Sequence, residues 1–372
     1  MIKRNIDILI DTASWGGKLI PSGISTLASK TSIEIDLLDI LIHVAKRTSL
    51  PISHGFSLGD LWAWLRYLPA ISNDVNLKLR EEWEEIDSHQ KTILSDDMGM
   101  GFSSSILSQC LKLIFICPTN YLVDMHPSIS LRKNGKRGPD KSPDFIAVDT
   151  FGGLHIIECK GTQSNRRKLD EQLNTGYDQK NNVLDPSGFI NEKLVSGVFI
   201  PQYSSTERGV FRIKDPEFPL DFSNVKKEDI IETIILGEIA SMIHLLGFPK
   251  LGNSIATNHK LDPKDLERIE KEIESLDTIK IEGKIFSKVD VYHRVDYSEF
   301  IDSNPYGIKI EIAIDLDFIR QLLTESDFMN ITKKIRKSIE NQQLSIIDNE
   351  TGGNWTKVST PLGFHIKLEI VS

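Results

Sequence analysis

Residues 142–162 decide the fold and read Ser-Pro-Asp-Phe-Ile-Ala-Val-Asp-Thr-Phe-Gly-Gly-Leu-His-Ile-Ile-Glu-Cys-Lys-Gly-Thr. The two apolar runs at 144–150 and 154–161 have the length of strands and flank a Gly-Gly pair. Such a pattern predicts a β-hairpin, here with its turn at residues 151–153. Charged side chains interrupt both runs, which is unusual for strands of this apolar character.

The register of this hairpin decides which charged side chains meet. Glu158 and Lys160 share a face because side chains alternate along a strand. A three-residue loop pairs Thr150 with Leu154, which puts Asp144 opposite Lys160 on that same face, whereas a two-residue loop turns Asp144 away. Gly153 can supply the left-handed residue at the third loop position, so we expect the three-residue loop.

Asp144, Glu158 and Lys160 together have a recognisable chemistry. Two carboxylates can hold a divalent ion through oxygen ligands, and the ammonium group can orient a water or stabilise charge on a phosphate. Pro143-Asp144, a spacer of 13 residues and Glu158-Cys159-Lys160 resemble the motif of the PD-(D/E)xK nuclease superfamily over roughly residues 95–205. The alternative is a surface hairpin with an ordinary cross-strand Asp–Lys pair.

The resemblance implies a restriction-endonuclease-like fold and a catalytic set of Asp144, Glu158 and Lys160. It also implies Mg2+ (or Mn2+) held by Asp144, Glu158 and the backbone carbonyl of Cys159, while the Cys159 side chain points to the other face of its strand. Many members supply a further acid from the helix before the hairpin. A glutamine on the following helix, in a Gln and Tyr motif, occurs in one branch of the superfamily.

The candidates for the further acid are Asp96, Asp97 and Glu85. Asp96 or Ser95 is also a good cap for a helix expected at 98–115, and Glu85 belongs to an acidic helix expected at 77–90, so capping and a solvated face are the alternatives. Gly99 and Gly101 in the first of these helices suggest close approach of another backbone or of substrate. Gln172 loosely echoes the glutamine of the branch motif, with a spacing to Tyr177 one residue too long.

Basic residues lie on both sides of the hairpin. Residues 132–180 contain ten Lys or Arg and seven acids, inside a chain whose net charge is -9. The overall charge argues against non-specific coating of nucleic acid, whereas the local excess fits phosphates docking beside the hairpin, with a solvated basic loop as the alternative. The expected phosphate contacts are Arg132, Lys133, Lys136, Arg137, Lys141, Arg166, Arg167 and Lys168.

The length of 372 residues predicts more than one domain. We expect an α/β (α+β) protein with a central mixed sheet flanked by helices. Residues 1–94 form a mixed, mainly helical region, 95–249 the nuclease domain and 250–372 an α+β domain of unknown role, beginning with a linker at 253–260. Further expected elements are a helix at 33–46, a short strand at 121–125, strands at 194–202 and 209–214 and a helix at 227–248.

The composition also bounds the setting of the protein. Three cysteines without metal-like spacing are expected to be reduced packing residues. No apolar run approaches the roughly 20 residues of a membrane span, so we expect no membrane association and a cytoplasmic location.

The leading hypothesis is a metal-dependent endonuclease or exonuclease, with DNA the expected substrate and bacterial phage defence or restriction the suggested context. A toxin acting on RNA differs only in substrate. The rival class is a non-catalytic module that binds nucleic acid or protein and retains the fold. A partner chain with ATPase or sensor function and a homo-oligomer are left open.

Overall fold

The structure is a computed structural model. It describes residues 2–52, 67–131, 142–177, 188–215, 220–295, 306–344 and 348–371. The expected basic loop at 132–141 lies outside these ranges. Within them, no helix combines the length and the apolar character needed to cross a membrane.

A seven-stranded mixed sheet forms the centre of the molecule, in the order β2-β1-β8-β7-β6-β5-β3. The pairs β1/β8 and β6/β7 are parallel, and the other four neighbouring pairs are antiparallel. The strands are β1 (Lys3–Ile10), β2 (Ser32–Asp36), β3 (Leu113–Pro118), β5 (Phe145–Asp149), β6 (Leu154–Thr162), β7 (Ile190–Phe199) and β8 (Val210–Lys214), while β4 (Ser130–Leu131) pairs separately with β9 (Leu220–Asp221).

Helices cover both faces of this sheet. They are α1 (Ser22–Ala28), α2 (Leu37–Thr48), α3 (Tyr67–Ala70), α4 (Ser88–Leu111), α5 (Thr119–Met125), α6 (Arg166–Tyr177), α7 (Lys227–Leu245) and α8 (Pro249–Ala256). On β7, the Ser196 hydroxyl donates to the Ser103 hydroxyl of α4 over 2.8 Å, while a Cβ at Gly197 would contact Leu169 of α6. Because neighbouring residues of a strand point to opposite faces, α4 and α6 lie on opposite sides of the sheet.

The part of the chain from residue 263 onward contains, in its described ranges, a second sheet and three helices. The sheet is antiparallel, in the order β10-β11-β12-β15-β14-β13. Its β13–β14 hairpin contacts α2, because Asn349 donates to Asp39 over 2.9 Å and Thr356 donates to Asp36 over 2.8 Å. The elements are α9 (Pro263–Glu274), β10 (Asp277–Ile281), β11 (Lys284–Val295), β12 (Tyr306–Asp315), α10 (Leu316–Thr324), α11 (Phe328–Glu340), β13 (Asp348–Thr351), β14 (Trp355–Ser359) and β15 (Phe364–Val371).

The expected helix at 98–115 is wrong at both ends. Helix α4 begins at Ser88, where the Asp87 carboxylate accepts from the His89 amide over 2.8 Å, and it ends at Leu111 before the left-handed Lys112. The run 113–118 that follows is continuously apolar and forms β3. Its apolar residues fit a buried strand as well as a buried helix, which is why periodicity did not separate the two.

Other parts of the first 125 residues also differ from expectation. The acidic helix expected at 77–90 is only a 3-10 turn at Glu81–Glu85, the first part of the expected 33–46 helix is β2, and 121–125 is helical rather than a strand. Strands β1 and β2 belong to the central sheet, so residues 1–94 are not a mainly helical region apart from it. Tertiary pairing decides these segments more than local propensity does.

The second half follows the sequence more closely. The expected strands at 194–202 and 209–214 pair as β7 and β8, and α6 is the crossover between the parallel strands β6 and β7. The expected linker at 253–260 is partly wrong. Helix α8 occupies its first half, residues 253–256, and buries Ile255 against the core.

Candidate metal centre at the hairpin

The hairpin has a three-residue loop, as expected, but the loop is placed one residue earlier. Val148 pairs with Leu154 and Phe145 with Ile157. The Asp149 amide donates to the Gly153 carbonyl over 3.0 Å, which leaves residues 150–152 as the loop. Gly152, not Gly153, takes the left-handed conformation, with φ of 74°.

Asp149 causes this placement. Its Oδ1 accepts from the amides of Phe151 at 2.8 Å and Gly153 at 2.7 Å, and its Oδ2 contacts His155 Nε2 at 2.9 Å. An aspartate that captures amides two or more residues ahead is a common turn former, so this signal was present in the sequence. The register places Asp144 beside Glu158 rather than Lys160. The shift is two residues, so all three still share a face.

Asp144 is held from two directions. Its Oδ2 accepts from the Cys159 amide over 2.7 Å, and its backbone carbonyl accepts from the Thr119 amide over 3.1 Å. Burial, followed by repulsion from Glu158, raises the pKa of Asp144 to about 7. This carboxylate therefore sits in a place that favours charge compensation by a cation.

Lys160 lies beside the two acids. Its Nζ donates to Glu158 Oε1. Burial, the largest single influence, lowers the pKa of Lys160, but Glu158 and Asp144 together raise it above its ordinary value. Gly197 on the neighbouring strand leaves room for the lysine, because a Cβ there would lie 3.1 Å from Lys160 Cβ. The Lys160 ammonium is therefore charged at neutral pH and acts as a donor, not as a base.

Cys159 points to the other face of β6, as expected. Its thiol contacts Ser103 of α4, and burial raises the pKa of that thiol well above the ordinary value. Cys110 and Cys117 are free thiols as well, and Cys117 is buried.

Helix α4 crosses β6 next to Lys160 with almost no space between the two backbones. A Cβ at Gly161 would lie 1.7 Å from the Ser95 carbonyl oxygen, and a Cβ at Gly99 would lie 2.8 Å from the Lys160 carbonyl. The expectation that Gly99 marks close approach of another backbone is confirmed. This crossing brings Asp96 into the electrostatic field of Lys160 and Asp144. Half-burial raises the pKa of Asp96, which Lys160 partly offsets.

The other candidate acids are placed differently. Asp97 accepts a hydrogen bond from the Tyr67 hydroxyl of α3, and Glu85 is exposed in the 3-10 turn. Of the three acids named from the sequence, Asp96 is the one that the structure brings to Asp144 and Lys160. Gln172 of α6 lies in the wall of an adjacent cleft.

The expected phosphate contacts on α6 have partners within the protein. Arg166 pairs with Asp7 over 2.9 Å, Arg167 lies 3.1 Å from Glu171, and Lys168 lies 3.5 Å from the same Glu171. The remaining candidates, Arg132, Lys133, Lys136, Arg137 and Lys141, lie outside the described residues.

The residues that could hold a metal are Asp144, Glu158 and the Cys159 carbonyl. In the described part of the chain, no cluster of three or more His, Cys, Asp or Glu side chains is arranged to hold an ion. Mg2+ commonly uses one or two carboxylates and keeps several waters, so two adjacent acids suit it. The half-buried, mutually repelling pair of Asp144 and Glu158 fits such an ion.

A cleft of about 600 Å³ adjoins this centre. Its lining residues include Asp96, Gly161, Lys168 and Gln172. Sequence reasoning missed Gln163 and Gln202, which line the cleft and are linked to each other by a hydrogen bond of 3.0 Å. Gln163 lies three residues after Lys160, immediately beyond the end of β6. Its position at a strand end near the acids was the sequence signal that could have identified it.

Comparison with known proteins found no matching family model, no matching curated protein and no matching solved structure. The geometry around Asp144, Glu158, Lys160 and Asp96 is therefore the basis for a functional assignment.

Proposed function

We propose that this protein is a metal-dependent nuclease with a restriction-endonuclease-like core, which hydrolyses phosphodiester bonds with DNA as the expected substrate. One observation carries the proposal. Asp144, Glu158 and Lys160 share one face of the hairpin, and α4 adds Asp96 to them through the Gly99–Gly161 crossing. Two adjacent acids can hold a divalent ion beside a charged lysine, and this combination suits phosphodiester hydrolysis.

Asp144 and Glu158 would hold Mg2+ (or Mn2+), with the Cys159 carbonyl as a third oxygen. When bound, such an ion polarises a phosphate oxygen and lowers the pKa of its water. Asp144 accepts the Cys159 amide on Oδ2, which orients its carboxylate, and Oδ1 would then be available as a ligand. Lys160 would stabilise the negative charge that develops on the phosphate, since its ammonium is charged at neutral pH.

Cleavage assays with purified protein test this proposal. Single-stranded DNA, duplex DNA and RNA are incubated with Mg2+, Mn2+, Ca2+ or EDTA. We expect cleavage with Mg2+ or Mn2+ that disappears in EDTA. Lys160→Met and Asp144→Asn should each reduce the rate by roughly 10²-fold or more.

Lys367→Met is a matched control. Lys367 pairs with Glu369 over 2.8 Å, two residues apart on one strand, as Lys160 pairs with Glu158, but it lies in the second sheet. Lys367→Met should cleave at the wild-type rate. Wild-type protein that binds nucleic acid but never cuts with any of these metals, or Lys160→Met that cuts at the wild-type rate, would overturn the proposal.

A further inference from the structure

One backbone carbonyl fixes the orientation of the carboxamides beside the metal centre. Gln163 Nε2 donates to the Lys91 carbonyl over 2.8 Å and to Ser95 Oγ over 3.1 Å. A carbonyl can only accept, so the amino group of Gln163 must lie on that side and its Oε1 must face Gln202. Gln202 therefore presents its amino group to Gln163, over 3.0 Å. The Oε1 of Gln202 is left as an acceptor that points elsewhere.

That acceptor is buried and has no donor among the described residues. The same holds for Gln172 Oε1, and both glutamines line the cleft, as do Asp96 and Gly161 beside the candidate metal centre. A buried acceptor without a donor is unfavourable, so each oxygen suits a ligand that brings an N–H or O–H group. Phosphate oxygens only accept and cannot satisfy either of them.

The charges of the cleft also favour a base over a phosphate. Two acids, Glu84 and Asp96, balance two lysines, Lys91 and Lys168. Lys91 Nζ donates to the Glu84 carbonyl over 2.7 Å, and Lys168 lies beside Glu171. Tracks for a phosphate backbone carry an excess of cations, which this cleft does not have. Its neutral, hydrogen-bonding walls suit a base rather than a phosphate.

We propose that the cleft binds the base of an unpaired nucleotide, with Gln202 and Gln172 accepting hydrogen bonds from donors on the base, so that the preferred substrate is single-stranded. This rests on the proposed nuclease function of the adjoining centre. A volume of about 600 Å³ is in the range that encloses a drug-sized ligand, and a nucleotide is of that size. In a duplex the bases are stacked and paired, so a base enters such a cleft only when it is unpaired or flipped out.

Binding in the Asp144→Asn background tests the inference without cleavage. Fluorescence anisotropy compares a labelled single-stranded DNA, the same strand with its bases replaced by abasic sites, its duplex and the same sequence as RNA. We expect the single strand to bind about 10-fold more tightly than the duplex or the abasic strand. Gln202→Met and Gln172→Met should remove that advantage over the abasic strand.

Gln109→Met makes the same chemical change at an exposed position near the far end of α4 and should leave every affinity unchanged. The ratio of normal to abasic affinity is the readout, because partial unfolding of Gln202→Met would weaken both strands equally. If the wild-type protein binds the normal and abasic single strands with equal affinity, the inference is overturned.

The two proposals fail separately. Cleavage of duplex and single strands at equal rates, with no effect of Gln202→Met, would overturn the cleft assignment and leave the nuclease in place. Absence of cleavage with any metal would overturn the proposed nuclease function. The anisotropy experiment would still show whether binding depends on the bases and on Gln202.

Discussion

The backbone amide of Cys159 donates to the Asp144 carboxylate over 2.7 Å. Cys159 therefore orients Asp144, although its own side chain points away from the site. The bond joins the two strands of the hairpin at the point where the charged residues begin. The Thr119 amide, at the start of α5, holds the backbone carbonyl of Asp144, so the acid is held at its backbone as well as at its carboxylate. The site is thus built into the sheet, which favours precise placement of its groups.

Asp96 and Asp97 are adjacent in sequence but should respond differently to the same change. Asp96→Asn removes a carboxylate from the field of Lys160 and Asp144, and we expect the Mg2+ needed for half-maximal cleavage to rise about 10-fold or more. Asp97→Asn weakens the bond from Tyr67 and should lower the melting temperature while the metal requirement stays the same. A metal titration and a melting curve of both variants separate the two roles. Equal metal requirements would remove Asp96 from the site.

The crossing of α4 over β6 leaves no space for a methyl group at Gly161. Gly161→Ala should lower the free energy of unfolding by about 3 kcal/mol, at the upper end of overpacking, because the clash is with the Ser95 backbone. Urea denaturation measures this change. Gly353→Ala is the control, since a Cβ at Gly353 meets nothing within 4 Å. A stable Gly161→Ala protein would mean that the helix and strand are farther apart than the structure has them.

Asp39 should make stability depend on pH. Burial raises its folded pKa to about 6, against roughly 3.9 when unfolded, so the folded state holds the proton more tightly. The resulting stabilisation is fully present below about pH 4 and is lost as the pH rises through 6, by roughly 3 kcal/mol. Asp36 raises the same pKa, while Ser105 and Lys46 lower it.

Asp39→Asn removes this dependence. The stability of the variant relative to wild type should increase between pH 4 and 7, since Asn349 can turn its free Oδ1 towards the new amide. Denaturation at several pH values measures the difference. A difference that is constant with pH would mean that Asp39 titrates normally.

Glu238 neutralises two buried cations between α7 and α2. It lies 3.1 Å from Lys46 Nζ and 3.1 Å from the Arg47 guanidinium. Glu238→Gln leaves both cations buried without a counter-charge and should cost about 3 kcal/mol or more, seen as a lower melting temperature. Glu340→Gln removes the half-exposed partner of Arg336 and should cost less than about 1 kcal/mol. Equal effects of the two changes would argue against a buried ion cluster.

The hairpin could be predicted from sequence because its signals are local. Strand length, the Gly-Gly pair and alternation placed Asp144, Glu158 and Lys160 on one face, and two residues of register error preserved that face. The choice among Asp96, Asp97 and Glu85 could not be made, because it depends on where α4 begins and on how it crosses β6. That crossing is a long-range contact.

The errors in the first 94 residues and in the cleft have different causes. The segment Ser32–Asp36 alternates polar and apolar residues, a local strand signal that the expected helix at 33–46 overlooked. The strand pairs with β1, which in turn pairs with β8. The carboxamides of Gln163 and Gln202 were missed because their alignment requires the backbone of Lys91, which is 72 residues from Gln163.

The parallel pairing of β1 with β8 joins Asp7 to Val210 and places the first strand inside the sheet, between β2 and β8. Such pairing gives the sheet a high contact order, so it should close late in folding, after some 200 residues of intervening chain are available. A fragment beginning at residue 95 would expose the edge of β8, an unpaired row of amides and carbonyls prone to intermolecular pairing. A fragment that is meant to keep the hairpin site in an intact sheet has to start with the first strand.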